Sequence, residues 1–194
     1  MTPRRLGLIG TLAAAAVCAI AACGGTPPPP PTPTPVVGQE PLNIGPAAQD
    51  TVGGWLPDGR MLGPFDAHNP IVEWLDPALR EAVQKAARSA EADGIEMRIS
   101  SGWRSKGFQE RLFGDGVVRY GSVEAAREFV ASPEKSKHVT GEAVDIGPVE
   151  ADKWLIANGR RFGLCQVYAN EIWHFELAVV DGRCPPLKPN AAAD

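Results

Sequence analysis

The sequence lacks a basic stripe and any interleaving of aromatic with basic residues, so nucleic-acid binding is excluded as a function. It has no internal repeat. Its cysteines lack the close CxxC pairing of many structural zinc sites. Long apolar runs are absent apart from one near the N-terminus, "LGLIGTLAAAAVCAIAA", which is too short and too alanine-rich to be a membrane span. Histidine is scarce, at three residues in the whole chain. What the chain does hold is a proline-rich tract, a modest acidic excess and two of those histidines in suggestive settings.

The N-terminus reads as a targeting segment. Arg4 and Arg5 form a basic start, the apolar run follows, and "IAAC" places small residues ahead of Cys23. That pattern resembles the lipobox of bacterial lipoproteins, which implies cleavage after residue 22 and a diacylglycerol on the Cys23 thiol. A plain secretory signal with an incidental cysteine is the alternative. Loss of the two arginines takes the formal charge from −4 to −6. Next comes "TPPPPPTPTP", Thr26 to Pro35, whose prolines force polyproline II and exclude a packed core. At about 3.1 Å per residue, Cys23 to Val37 would reach roughly 40 Å. Residues 23–40 thus read as a lipidated stalk, 41–187 as one domain and 188–194 as a disordered tail.

Cys165 and Cys184 remain once Cys18 leaves with the signal and Cys23 carries lipid. In an exported protein such a pair is expected to form a disulfide, here pinning "DGRCPP" back to the segment before "NEIWHFEL". A metal role for the pair is the alternative.

Within the domain, "DPALREAVQKAARSAEADG" predicts a helix. Asp76 caps it, Pro77 suits its first turn, Leu79, Ala82, Val83, Ala86 and Ala90 line one face, and Gly94 stops it. "IEMRIS" alternates as a half-buried strand. "SKGFQERLF" predicts a short helix ended by the glycines of "GDG", and "SVEAAREFVA" another, capped by Ser122. "EAVDI" and "IWHFEL" read as strands, with helical spacing in "EADKWLIANGRRFG" between them. Helices and short strands without a βαβ rhythm indicate an α+β fold, a small antiparallel sheet with flanking helices.

The chemistry gathers in "SKHVTGEAVDIG" and "NEIWHFEL". Gly141 and the β-type "AVDI" argue for a turn feeding a strand, which can bring His138 and Asp145 to one point. His174 would arrive from another strand. Two imidazoles and a carboxylate suit zinc and leave a fourth position for water. Strand alternation would send Glu171 and His174 to opposite faces, so Asn170 and Glu171 are expected in a turn or bulge that swings the carboxylate inward. There it could accept a proton from water and deliver it to a leaving amine. The plainer alternative for His174 is a satisfied core histidine, and spacing alone does not separate the two.

Three motifs, in order, carry a resemblance. "SKHVTGEAVDIG" is similar to the SxHxxGxAxD signature of VanY-type D-alanyl-D-alanine carboxypeptidases. "EIWH" is similar to their ExWH, and "SGWRSKGFQ" to their SGxRS segment with its following glutamine. The resemblance spans residues 100–177. It implies the fold shared by these peptidases and the hedgehog signalling domain. It also implies one Zn2+ per chain on His138, Asp145 and His174, with Glu171 as general base and acid. Arg104 would bind substrate and stabilise the oxyanion, where its alternative without the motif is a surface salt bridge. Gln109 and Ser136 match positions near the substrate. Trp103 and Trp173 read as packing, and His68, outside every motif, as a loop residue. The compact "FGLCQVYANEIWH" departs from relatives with a longer segment there, which puts the accepted peptide ends in question.

The expectation is therefore a zinc D,D-carboxypeptidase that trims the terminal D-Ala of peptidoglycan stem peptides ending in D-Ala-D-Ala. It would be monomeric, extracytoplasmic and held to the bacterial cell membrane by its lipid anchor alone. The alternatives are a D,D-dipeptidase or peptidoglycan endopeptidase with the same zinc site, or a non-catalytic zinc-containing wall-binding lipoprotein.

Overall fold

The computed structural model describes residues 50–193. The segments read as a signal peptide (1–22) and as a lipidated stalk (23–40) lie outside the described residues, as do residues 41–49 of the expected domain. No helix among the described residues is long and apolar enough to cross a membrane.

The described part is α+β. After a one-turn helix α1 (Pro70–Glu73), the long helix α2 spans Pro77–Ala92. Asp76 accepts hydrogen bonds from the Ala78 and Leu79 N–H groups at its start, satisfying two donors that the first turn leaves without partners. Strand β1 (Arg98–Ser101) leads to α3 (Lys106–Tyr120) and α4 (Val123–Arg127), and then to β2 (Ala143–Gly147). Helix α5 (Val149–Asn158), a short 3-10 turn, β3 (Leu164–Gln166), β4 (His174–Leu177) and a last 3-10 turn at Ala191–Ala193 complete the order. The strands form one antiparallel sheet in the order β1-β2-β4-β3.

Alternation along the strands divides the sheet's two faces. Ile99, Val144, Ile146 and Phe175 join Leu79, Val83, Ala86 and Leu155 of α2 and α5 in the main apolar core. Asp145, His174 and Glu176 therefore fall on the opposite face. The register sets Ser101 opposite Asp145 and Asp145 opposite His174, so one row across three strands carries three polar side chains. A bulge between Ile99 and Ser101 allows that pairing.

Five expectations need correction, the first being that the strand expected over "IWHFEL" begins only at His174, with Ile172 and Trp173 in a turn. The α3 helix does not stop at "GDG" but runs to Tyr120. Gly116 faces α4 there: a Cβ would stand 3.3 Å from Val130 Cγ2 and 3.6 Å from Ala126 Cβ, so the glycine serves close helix packing. The helix expected over "SVEAAREFVA" ends at Arg127, although Ser122 caps it as expected. Strand β1 begins at Arg98, with Ile95 and Met97 packing on the core from irregular chain. The tail read as disordered is packed over residues 188–193. Lys188 N–H donates to Val167 O (2.9 Å), its carbonyl accepts from Ala169 N–H (2.8 Å), and Ala191 is buried. Cys165 and Cys184 form a disulfide.

Candidate metal centre and catalytic cleft

Two glycines let the chain bring its polar row to a point. Gly141 has φ +74° and lies so close to the start of α2 that a Cβ would stand 2.4 Å from Trp74 O. Its carbonyl accepts from Asp76 N–H (2.9 Å), which fixes the turn carrying His138. Gly102 is equally crowded, with Ile71 O 2.4 Å from where its Cβ would be. Its carbonyl lies 2.7 Å from His138 Nδ1. Because a carbonyl only accepts, Nδ1 carries the proton and Nε2 presents its lone pair.

That nitrogen faces the Asp145 carboxylate with no proton between them, as two donors to one cation would. His138 Nε2 is 3.3 Å and His174 Nδ1 3.2 Å from Asp145 Oδ1. The second nitrogen of His174, Nε2, donates to Glu176 Oε1 at 3.0 Å. Each imidazole thus has one N–H anchored outward while its other nitrogen turns to the same point, the arrangement that orients metal-binding histidines. All three side chains are buried, and their donor atoms lie within 4.8 Å of one another. Donors around a tetrahedral zinc stand roughly 3.3 Å apart, given bonds of about 2 Å. The set fits such an ion.

The electrostatics follow from this crowding. Burial works against ionised Asp145, but His138, His174 and Arg104 outweigh it and hold the carboxyl well below its usual range. Burial, with the Arg104 charge, lowers His138. For His174, burial is outweighed by hydrogen bonds to Asp145 and Glu176 and by the charges of Asp145 and Glu171, which raise it to about 9. Burial also lowers Arg104, opposed by Asp145 and Glu171, and an arginine there stays cationic.

Arg104 is buried in the site rather than on the surface. Its Nε donates to Ser101 Oγ (3.0 Å), Nη1 to Gln109 Oε1 (3.1 Å) and Nη2 to Asp145 Oδ2 (3.1 Å). Three of the five guanidinium N–H donors are thereby used. Gln109 is 1% exposed and donates from Nε2 to Ala131 O (2.8 Å). Glu171 lies between the turns at Ala169–Asn170 and Ile172–Trp173, and its Oε2 comes within 3.8 Å of His174 Nδ1. Ser136 is buried beside His138 on the cleft wall.

These groups open into a cleft of about 260 Å³. Arg104, Gln109, Ser136, His138, Glu171, Trp173 and His174 all line it, together with Trp55, Phe108, Leu112, Tyr168 and Ala191. Trp103 packs against Trp74 (5.5 Å between ring centroids), and His68 lies in an exposed turn away from the cleft. Three participants were not expected from the sequence. Glu176 was findable, since it lies two residues beyond His174 and so on its face of the strand. The Gly102 carbonyl and Tyr168, whose ring lies 5.0 Å from that of His174, depend on the tertiary fold.

Comparison with known proteins gives a consistent likeness. The family profile described as VanY: D-alanyl-D-alanine carboxypeptidase matches residues 72–178. A D-alanyl-D-alanine carboxypeptidase of Enterococcus faecalis (strain ATCC 700802 / V583) is 28% identical, over 56% of this chain and 50% of that protein. The chain thus spans about half the length of that curated relative. Among solved structures, VanYB in complex with D-Alanine-D-Alanine is 27% identical with a TM-score of 0.50, covering 53% of this chain and 70% of that one. A vancomycin-resistance D,D-pentapeptidase VanY in complex with Zn(II) is 28% identical with a TM-score of 0.49, covering 53% and 71%.

Proposed function

The chain belongs to the VanY family of D-alanyl-D-alanine carboxypeptidases, and from that premise we propose that it is a zinc-dependent D,D-carboxypeptidase. Its substrate would be the peptidoglycan stem peptide ending in D-Ala-D-Ala, from which it removes the terminal D-Ala. The observation that carries this reading is the meeting of His138, Asp145 and His174 with Glu171 and Arg104 in one cleft.

His138 Nε2, His174 Nδ1 and Asp145 Oδ1 would hold one zinc ion. Bound there, zinc would supply Lewis acidity toward the scissile carbonyl and make water a stronger acid. Glu171 is the proton carrier. Its carboxylate, beside His174 at the cleft wall, takes the proton of the attacking water and returns it to the leaving amine. Arg104, held from three sides by Ser101, Gln109 and Asp145, keeps two N–H donors for the oxyanion that develops on the carbonyl. Gln109 holds Arg104 while facing the cleft, and Ser136 offers a hydroxyl at the substrate wall. Trp173 and Tyr168 exclude water from around His174.

The lipobox-like "IAAC" and the proline-rich tract support an extracytoplasmic protein anchored by Cys23, with the stalk lifting the domain toward the wall. That location suits a stem-peptide substrate.

The test uses the zinc-loaded full-length chain and a stem pentapeptide ending in D-Ala-D-Ala, with products followed by mass spectrometry. Release of one D-Ala is expected, with Glu171→Ala keeping its zinc and losing turnover by at least about 10²-fold. Release of the dipeptide would make the chain a D,D-dipeptidase, and internal cleavage an endopeptidase. An intact peptide with zinc bound would favour a wall-binding module. Full activity of Glu171→Ala would remove Glu171 from the mechanism.

A further inference from the structure

The segment Cys184–Ala193 lies outside residues 72–178, yet it reaches the cleft. It is tied down at both ends of its course. The disulfide to Cys165 fixes its start beside β3. Lys188 then pairs in parallel with Tyr168 as an added edge, through hydrogen bonds to Val167 O (2.9 Å) and from Ala169 N–H (2.8 Å). Beyond it, Ala191 is 7% exposed and packs against Val167, Tyr168 and Ala131.

Those contacts join the two walls of the cleft. On one side, the Tyr168 ring packs at a tilt against His174, a ligand candidate. On the other, Ala131 accepts from Gln109, which holds Arg104. Ala191 thus closes the gap between the wall carrying the metal donors and the wall carrying the cation. Ala131 and Ala191 also line a second cavity of about 220 Å³, with Arg127, Ser132 and Lys135. Ala131 and Ala191 are thus shared by the linings of both spaces. A wall of fixed position and minimal side-chain size limits what fits in front of it, because interiors resist intrusion by even one methylene.

We propose that Cys184–Ala193 is a fixed wall of the substrate cleft and that Ala191 sets the largest substrate side chain admitted, restricting the walled subsite to alanine-sized groups. The inference rests on the peptidase reading and adds a specificity determinant to it. The segment acts by exclusion and takes no part in proton transfer.

The experiment compares kcat and KM of the zinc-loaded full chain on L-Lys-D-Ala-D-Ala, L-Lys-D-Ala-D-Leu and L-Lys-D-Leu-D-Ala. Ala191→Leu is expected to raise KM for the all-alanine peptide at least tenfold with kcat within twofold. Lys188→Pro removes the N–H bonded to Val167 and releases the segment. With Ala191→Gly, it is expected to raise the relative kcat/KM of one leucine peptide at least tenfold. Hydrogen exchange at Ala169 reports the release, and if Lys188→Pro does not show it, the two Ala191 variants decide. Peptide preferences within twofold of wild type in the variants would overturn the proposal. If wild type cleaves none of the peptides, the peptidase reading fails instead. The wall is then judged by peptide binding, through the fluorescence of Trp55 and Trp173, with the same ordering expected and an unchanged ordering overturning it.

Discussion

Asp145 divides its two oxygens between different tasks. Oδ1 faces both imidazoles and Oδ2 holds Arg104, so the guanidinium is fixed by a group that also belongs to the donor set. A lysine at position 104 would keep the charge but reach one partner instead of three. Arg104→Lys should therefore lower kcat by about 10²-fold while zinc content, measured by atomic absorption, stays near one per chain. Wild-type kcat in that variant would make the charge alone sufficient. Asp152, in the first turn of α5, raises a separate question. It is 3% exposed with Oδ1 unpartnered, and burial, with the charges of Asp145 and Glu150, lifts its pKa to about 7. The sign follows directly. The unfolded chain gives up this proton near pH 3.8 and the folded chain keeps it to about 7, so rising pH between those values costs stability. Asp152→Asn should stabilise the chain by roughly 1–2 kcal/mol at pH 8 and leave it unchanged at pH 3.5. Urea melts at the two pH values would check this, and equal shifts at both would remove ionisation as the cause.

At the scale of elements, the site depends on a turn and a register rather than on any helix. The turn at Gly141 needs a positive φ and has Trp74 O and Asp76 N where a side chain would go. Gly141→Ala should cost about 2–4 kcal/mol, from conformational strain and overpacking together, and weaken zinc binding by displacing His138. A melting temperature within 1–2 °C of wild type, where a loss of about 1 kcal/mol moves the melt by several degrees, would show that the turn tolerates a side chain. Elements of this kind differ in how openly the sequence declares them. Helix α2 was legible because its cap, its proline and its apolar face agree locally. His138, Asp145, Glu171 and His174 could be singled out because two short motifs hold them. The extent of α3 is not legible in the sequence, since a glycine that serves contact with Val130 looks the same as one that ends a helix. The packing of residues 188–193 was hidden too, because its hydrogen bonds run to Val167 and Ala169, about twenty residues away, and nothing in "LKPNAAA" alternates or repeats.

At the scale of the whole molecule, the anchor and stalk decide where the proposed activity would take place. A stem peptide attached to wall is not free to diffuse, so an enzyme acting on it gains from being held nearby, and two acyl chains on one cysteine anchor far more firmly than a single chain would. The stalk "TPPPPPTPTP" would hold the cleft at a distance that flexible glycine-serine chain of equal length would not maintain. Cys23 should therefore govern location without touching chemistry. Expressed in a bacterium, the wild-type chain is expected in the detergent phase of a Triton X-114 partition, with an acyl-modified N-terminal peptide in mass spectrometry beginning at Cys23. Cys23→Ser should move to the aqueous phase. On a soluble pentapeptide its kcat/KM should stay within twofold of wild type, because the residues lining the cleft fall between Gly54 and Ala191 in the chain. Release of D-Ala from intact cells should fall, since the tether no longer raises the local concentration of enzyme. Wild-type protein in the aqueous phase with an unmodified Cys23 would return the N-terminus to a plain secretory signal. The stalk would then be a linker to something other than lipid.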